Sequence, residues 1–122
     1  SPGAYRWQTD EIFDVVAAHA AEGEANTIAV RWSCDVLPEK GDDVVELWKT
    51  WVIDKAAYTA RLVRPQFGDM SRVALEVEYA DLADYQAKMH AWAGQDGIEA
   101  FWDAFNPAVR PGGTTEVWQL MP

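Results

Sequence analysis

Two kinds of hydrophobic spacing alternate along residues 27–121, and this alternation limits the folds open to the chain. Apolar residues at every second position predict strands over residues 27–37, 60–67, 72–79 and 114–121. Apolar residues at helical spacing predict helices over residues 43–52 and 81–92, and a short helix over residues 98–105. The order is therefore strand, helix, strand, repeated twice, which is the split βαβ arrangement.

This order predicts an α+β fold, a ferredoxin-like βαββαβ domain whose four-stranded antiparallel sheet is covered on one face by helices. Two local signals support the helix starts. Asp43 with Glu46 resembles a capping box, and Asp81 with Asp84 has the same spacing. Pro65 lacks a backbone N–H, so it suggests that the second strand lies at an edge or contains a bulge. We expect one domain over residues 1–122.

The segment before the first predicted strand resembles an extra helix. Thr9 is a suitable N-cap, and Ile12, Phe13, Val16 and Ala20 fall on one helical stripe before Gly23. We therefore predict an extra N-terminal helix over residues 9–22, preceded by a flexible start over residues 1–8.

The charge of the chain narrows the range of partners. Asp and Glu outnumber Lys and Arg by 20 to 10, which gives a net charge of −10. Binding to nucleic acid or to an anionic membrane surface requires clustered basic residues, so both partners are disfavoured. No apolar run is long enough to span a membrane, and we expect a cytoplasmic setting.

The sheet face that the helices leave uncovered carries both charged and apolar residues. Glu76 and Glu78 alternate on one strand, and Arg31 and Arg61 stand on others. Such a face can pair with a copy of itself, with each arginine matched to a glutamate across a two-fold axis. We therefore expect a homodimer that associates through the sheet face.

A known family shares several of these features in the second half of the chain. In this sequence, the shared features are the run Gly68-Asp69-Met70-Ser71-Arg72-Val73, a strand ending in Tyr79, the helix start Asp81-Leu82, and a short aromatic helix at Phe101 and Trp102. This arrangement resembles NIPSNAP-like domains of the dimeric α+β barrel superfamily. The first half of the chain matches those domains only in the order of its elements.

The resemblance implies a dimeric α/β barrel and a range of activities. The superfamily includes cofactor-independent monooxygenases of aromatic polyketide pathways, polyketide cyclases, muconolactone isomerases and haem-binding degraders. The resemblance implies an enzyme of the monooxygenase, cyclase or isomerase type that acts on a hydrophobic aromatic or polyketide-like molecule in bacterial secondary metabolism. The superfamily has no shared catalytic motif, so it assigns no catalytic residue here. The sequence itself contains no Gly-rich dinucleotide loop, no P-loop and no metal-ligand cluster, and we expect no cofactor and no metal.

Tryptophan is unusually frequent, with seven residues in the chain. The residues expected to converge between sheet and helices, and to bind a hydrophobic small molecule, are Trp32, Trp48, Trp51, Met89 and Trp92, with Arg31 as a polar partner. Tyr85 lies on the same helix face as Met89, and His90 is one step away at its edge. Tyr85 and His90 are therefore the candidate catalytic groups for proton transfer.

Two alternatives stay open at this point. Aromatic side chains at helical spacing are also what an ordinary core requires, and His90 also fits a partly exposed helix position. The same fold would serve a ligand-binding or interaction protein without catalysis. A ligand-sized cavity with His90 or Tyr85 on its wall would favour the enzyme.

Overall fold

The computed structural model describes residues 4–6, 12–21, 25–55, 58–65 and 71–120. Its strands are β1 (Ala4–Arg6), β2 (Ile12–His19), β3 (Ile28–Asp35), β4 (Thr59–Pro65), β5 (Arg72–Tyr79) and β6 (Thr114–Gln119). Its α-helices are α1 (Gly41–Trp51), α2 (Leu82–Ala93) and α3 (Ile98–Phe105), and 3-10 helices follow at Ile53–Lys55 and Asn106–Ala108. None of the helices in these ranges is long and apolar enough to cross a membrane.

The strands form one antiparallel sheet in the order β1-β2-β4-β5-β3-β6. Within it, β3-α1-β4 and β5-α2-α3-β6 are the two expected halves, and they interleave as β4-β5-β3-β6. This confirms the predicted α+β, ferredoxin-like fold. The sheet has six strands rather than four because β1 and β2 extend it beyond β4.

The predicted N-terminal helix over residues 9–22 is wrong, since Ile12–His19 is strand β2. Exposure alternates along it: Val15 and Ala17 are partly buried, whereas Val16 and Ala18 are exposed. The segment fits a period of two as well as a helical one, and pairing with β4 decides between them, because that neighbour satisfies its backbone groups. A register shift between Val15 and Ala17 marks a bulge.

Two further features near this edge concern β1 and β4. Within the predicted flexible start over residues 1–8, Ala4–Arg6 forms β1 and pairs with β2. Strand β4 is not at an edge, since β2 and β5 flank it. Pro65 is tolerated because it is the last residue of β4, where a missing N–H interrupts little of the ladder. The predicted turn at residues 68–69 lies outside the described residues.

The main core lies between one face of the sheet and the helices. Its most completely buried side chains are Val30, Val44, Leu62, Val73, Val77 and Phe101. Burial of a side chain of this size stabilises a fold by about 1.5–3 kcal/mol relative to exposure. Trp32 packs against this core, so it shares the helix-covered face with Val30 as its alternation with Arg31 predicted.

The two predicted helix caps differ in outcome. At α2, the Asp81 carboxylate accepts a hydrogen bond of 2.8 Å from the Asp84 N–H, and the Asp84 carboxylate accepts one of 2.9 Å from the Ala80 N–H. This reciprocal pair confirms the cap at Asp81. The predicted cap at Asp43 is wrong, because α1 begins earlier in the chain, at Gly41. A Cβ atom at Gly41 would lie 2.5 Å from the Arg64 guanidinium, so a glycine suits this position.

Candidate functional site

An elongated apolar cavity of about 330 Å³ lies between the helix-covered face of the sheet and the three helices. We call it the aromatic groove. Its strand residues include Trp32, Cys34, Leu75, Val77 and Tyr79, and its helix residues include Trp48, Lys88, Met89, Trp92, Phe101, Trp102 and Phe105. The lining also includes Ser33, Val52, Tyr58, Ala93, Gly113 and the start of β6.

The groove runs along the strands. Cys34 at one end pairs with Val73, and Tyr79 at the other end pairs with Ile28. Tyr79 lies six residues beyond Val73 on β5, a separation of about 20 Å at the usual strand rise of about 3.3 Å per residue. The groove therefore has the dimensions of a flat ligand with several rings or an extended apolar chain.

Phe101 organises the aromatic wall of the groove. Its ring lies 5.1 Å from that of Trp92 and 5.0 Å from that of Trp102, both edge-on, and stacks on Phe105 at 5.1 Å. Trp48 approaches Phe105 at 5.3 Å. These contacts join α1, α2 and α3 into one wall, and edge-to-face geometry is a favourable arrangement of aromatic rings.

Polar groups gather at the Tyr79 end of the groove. Tyr79 is only 2% exposed, and Tyr58 lies beside it because the next residue, Thr59, pairs with Glu78. The Lys88 ammonium is 5.9 Å from the centre of the Tyr79 ring. Two phenols and one ammonium group therefore converge on the end of an otherwise apolar space.

Both phenols are protonated near neutral pH, as phenols ordinarily are, and their surroundings raise the pKa of each one further. Burial raises the pKa of Tyr79 well above its ordinary value, and acidic neighbours reinforce the rise. Burial also raises the pKa of Tyr58, against the opposing effect of the Lys88 ammonium. Both side chains are consequently hydrogen-bond donors, able to stabilise negative charge on a bound molecule.

Cys34, at the opposite end, is not a reactive thiol. It is buried, and its Sγ lies 3.7 Å from the Val73 carbonyl oxygen as a weak donor. Burial, reinforced by the Asp35 carboxylate, raises the pKa of the thiol to about 12. The thiolate is the nucleophilic form, so Cys34 contributes apolar lining rather than covalent chemistry.

The predicted hydrophobic contacts divide into two groups. Trp32, Trp48, Met89 and Trp92 line the groove together. Trp51 does not line it: its ring approaches Phe101 at 6.1 Å from behind, and its carbonyl accepts a hydrogen bond of 3.0 Å from the Trp92 indole. Trp51 therefore supports the wall from outside.

The two candidate catalytic groups stand apart from the lining. The Tyr85 ring lies beside it, 6.2 Å from that of Trp32 and 5.1 Å from that of Tyr79. His90 is exposed on α2, and no histidine is among the described residues that line the groove. The prediction that His90 shares a cavity with Trp32 is wrong, because the helical turn places it on the solvent side of Met89.

Arg31 is also misplaced by the sequence prediction. It points to the sheet face opposite the groove, where it lines a separate polar pocket of about 280 Å³ with Asp35, Arg72 and Glu116. Among the described residues, no group of three or more His, Cys, Asp or Glu side chains is arranged to hold a metal ion.

A charge network lies on that opposite face. The Arg31 Nε donates to Glu76 at 2.9 Å, and the Arg61 Nε donates to the other oxygen of Glu76 at 2.8 Å. Arg61 also donates two hydrogen bonds of 3.0 Å to Glu78. These pairs form within one chain, because β3 and β4 both flank β5 and bring the arginines to its glutamates.

Sequence analysis missed the polar end of the groove. Lys88 lies three residues after Tyr85 and four before Trp92, so it shares their helix face. Tyr79 shares the alternation of Val77, which places it on the helix-covered face of the sheet. The spacing within each element thus indicates the orientation of both residues, whereas their meeting with Tyr58 depends on the pairing of β4 with β5.

No family model matches the sequence, and no curated protein matches it either. Solved structures do match in fold. A NIPSNAP family protein from Agrobacterium tumefaciens has a TM-score of 0.64 at 12% identity, covering 86% of this chain and 95% of its own.

Two further solved structures extend the comparison. An anthrone oxidase-like protein has a TM-score of 0.69 at 9% identity, covering 92% of this chain and 55% of its own. An antibiotic biosynthesis monooxygenase has a TM-score of 0.52 at 19% identity, covering 78% of this chain and 99% of its own. Together with the topology of β3 to β6, these similarities show that the chain has a NIPSNAP-like, ferredoxin-like α+β fold.

Proposed function

We propose that the protein is a small-molecule enzyme that binds a hydrophobic aromatic or polyketide-like substrate in the aromatic groove and converts it without a cofactor. The observation that carries this proposal is the groove itself. It is ligand-sized, lined by tryptophan and phenylalanine rings, and polar at one end. Ligand sites are typically apolar clefts with a few well-placed polar groups.

The structural similarities support the same proposal. Solved structures with this fold include proteins described as an anthrone oxidase-like protein and an antibiotic biosynthesis monooxygenase. These proteins are 9% and 19% identical to this chain, so what they share with it is the fold. The activity proposed here therefore depends on the groove and its chemistry.

The proposed reactions, oxygenation, cyclisation or isomerisation, begin when an acidic C–H group of the substrate gives a proton to water, because no carboxylate or imidazole is among the described residues that line the groove. In the oxygenation of an anthrone-like CH₂ group, the carbon loses two hydrogens and gains one atom of O₂ as a carbonyl. The other oxygen atom leaves as water. Neutral phenols beside the groove would stabilise the substrate anion that forms first.

An oxygen electrode tests this activity directly. Anthrone is incubated with the protein, and O₂ uptake is compared with formation of the quinone by absorbance. Ala93 is exposed and lines the groove, so Ala93→Phe should fill the space and lower both rates at least tenfold. Ala87→Phe, on an exposed part of the same helix, is the matched control. Uptake equal to that of buffer alone would contradict the oxygenase proposal.

A second candidate is a ligand-binding protein without catalysis. This candidate is favoured because no side chain suited to act as a general base is among the described residues that line the groove. The Cys34 thiol is protonated, and His90 is exposed on the solvent side of α2. Quenching of tryptophan fluorescence by anthrone, abolished in Ala93→Phe, would support this candidate if no substrate were consumed.

We also propose that the protein forms a homodimer through the sheet face opposite the groove. On this face Arg31 and Arg61 pair with Glu76 and Glu78, so these four charges cancel although the whole chain carries a charge of −10. Copies of a strongly acidic chain associate most easily through such a patch. Sedimentation at micromolar concentration should give twice the mass of the chain, and a monomer would contradict the proposal.

A further inference from the structure

Tyr79 brings a hydroxyl group to the polar end of the aromatic groove. Tyr79 lines the groove and is 2% exposed. No hydrogen bond joins its hydroxyl to any other residue in the described part of the chain. A phenol hydroxyl can donate one hydrogen bond, so this group can donate to a molecule bound in the groove.

Tyr58 repeats this arrangement beside Tyr79. It is partly buried, lines the same end of the groove, and has no hydrogen bond from its hydroxyl within the described ranges. Side chains two residues apart in an extended chain lie on the same face. Tyr58 is two residues before Ala60 and Tyr79 two after Val77, and both of those alanine and valine side chains belong to the core. Both tyrosines therefore project from the helix-covered face. Two phenol donors therefore serve one end of the groove.

Lys88 supplies the charge at this end. It is the one charged side chain among the described residues that line the groove. Asp84 holds it at 3.3 Å, one helical turn away, which steers the ammonium group along the surface of α2 beside Tyr79. Asp84 balances part of this charge, so the preference for an anion comes from the ammonium group together with the two phenol donors.

We propose that Tyr58, Tyr79 and Lys88 form an oxyanion site, and that the ligand is a flat aromatic molecule with an acidic hydroxyl group at one end. The ionised oxygen would accept hydrogen bonds from the two phenols and lie near the ammonium group. Its rings would extend toward Trp32 and the Phe101 wall. This inference rests on the proposed function and deepens it, because it names the chemical class of the ligand.

Hydrogen-bond strength and the cost of desolvating the ligand together favour a phenolate over other oxyanions at this site. Hydrogen bonds in which one partner is charged are shorter and stronger than neutral ones. A group that ionises near neutral pH can enter the apolar groove uncharged and then release its proton. A permanent carboxylate would have to be desolvated on entry, which costs far more.

The test uses 7-hydroxycoumarin and coumarin, which differ by one hydroxyl group. Binding is measured by quenching of tryptophan fluorescence, and ionisation by the absorbance of bound 7-hydroxycoumarin, whose two protonation states absorb at different wavelengths. Wild-type protein should bind 7-hydroxycoumarin about tenfold more tightly than coumarin. The bound hydroxyl should also ionise at lower pH than it does in free solution.

Variants then assign the effect to the site. Tyr79→Phe and Lys88→Met should each remove about tenfold of the affinity for 7-hydroxycoumarin and reduce its absorbance shift, while leaving coumarin within twofold. Lys49→Met, an exposed lysine on α1, is the control. Circular dichroism verifies that each variant is folded.

The outcomes are distinct. Equal affinity of the wild type for both coumarins, or an equal loss for both in the variants, would overturn the oxyanion site while leaving the groove as an aromatic binding site. Equal binding of 2-naphthoate and 2-naphthol, with the same dependence on Lys88, would overturn the preference for a hydroxyl. Failure of every probe to quench tryptophan would remove the proposed function and this inference together.

Discussion

The indole N–H of Trp92 donates a hydrogen bond of 3.0 Å to the main-chain carbonyl of Trp51. This bond ties α2 to the last residue of α1, so the aromatic wall of the groove is held by a directional contact as well as by packing. Trp92 also lines the groove. Because its N–H is already bonded to the Trp51 carbonyl, the indole ring needs no further polar partner there.

Trp92→Phe should therefore destabilise the protein by about 1–3 kcal/mol, since it leaves the Trp51 carbonyl without its donor and removes buried ring area. Urea denaturation followed by circular dichroism measures this change. Trp102→Phe is the control: Trp102 belongs to the same wall but is 41% exposed. Equal effects in both variants would show that the hydrogen bond adds nothing beyond packing.

Glu76→Gln should lower the free energy of unfolding by about 3 kcal/mol. Glu76 is 4% exposed and pairs with Arg31, which is 6% exposed, and with Arg61, so the substitution leaves buried positive charge without its counter-ion. Glu46→Gln, on the exposed side of α1, should change stability by less than about 0.5 kcal/mol.

The same variant distinguishes an intrachain network from an intersubunit one. If Glu76→Gln left unfolding unchanged but converted a dimer into monomers in sedimentation, its salt bridges would have to lie between subunits.

Cys34 should react slowly with thiol reagents in the folded protein. Its pKa of about 12 leaves little thiolate at pH 8, and the buried sulfur is shielded. A chromogenic disulfide reagent at pH 8 should label the native protein at least a hundredfold more slowly than the urea-unfolded protein. Comparable rates in the two states would contradict the burial of this thiol.

The raised pKa of Cys34 also predicts an alkaline loss of stability. Folding favours the neutral thiol, so its contribution is fully present below the unfolded value of 9.0 and declines as pH rises toward about 12. Cys34→Ala removes this group, and its unfolding free energy should fall less steeply than that of the wild type between pH 9 and pH 11. Parallel curves would contradict the assignment.

Asp81→Ala should destabilise the protein by about 1 kcal/mol, because the carboxylate caps α2 through the Asp84 N–H at 2.8 Å. Asp96→Ala is the control, since Asp96 is an exposed aspartate in the turn before α3. Asp81→Asn should retain most of the stability, because an asparagine side chain can accept the same bond.

The sequence by itself determined the elements whose local signals agree with one another. Strand β5 occupies Arg72–Tyr79 as the alternation of apolar residues predicted, and α2 begins after Asp81 because the cap is formed by residues three apart. Trp32 could be assigned to the helix-covered face from its neighbours alone, since side chains in a strand alternate.

Tertiary structure decided the remainder. Residues 12–19 have apolar spacing that suits a helix and a strand alike, and β4 selects the strand by supplying a partner for its backbone. Tyr58, Tyr79 and Lys88 are remote in the sequence and meet because β4 pairs with β5 and α2 folds back over them. His90 lies outside the groove for the converse reason: its position in the sequence is close to the stripe, but about 100° of helical rotation turns it to solvent. Periodicity describes one element at a time, whereas a site is made where several elements meet.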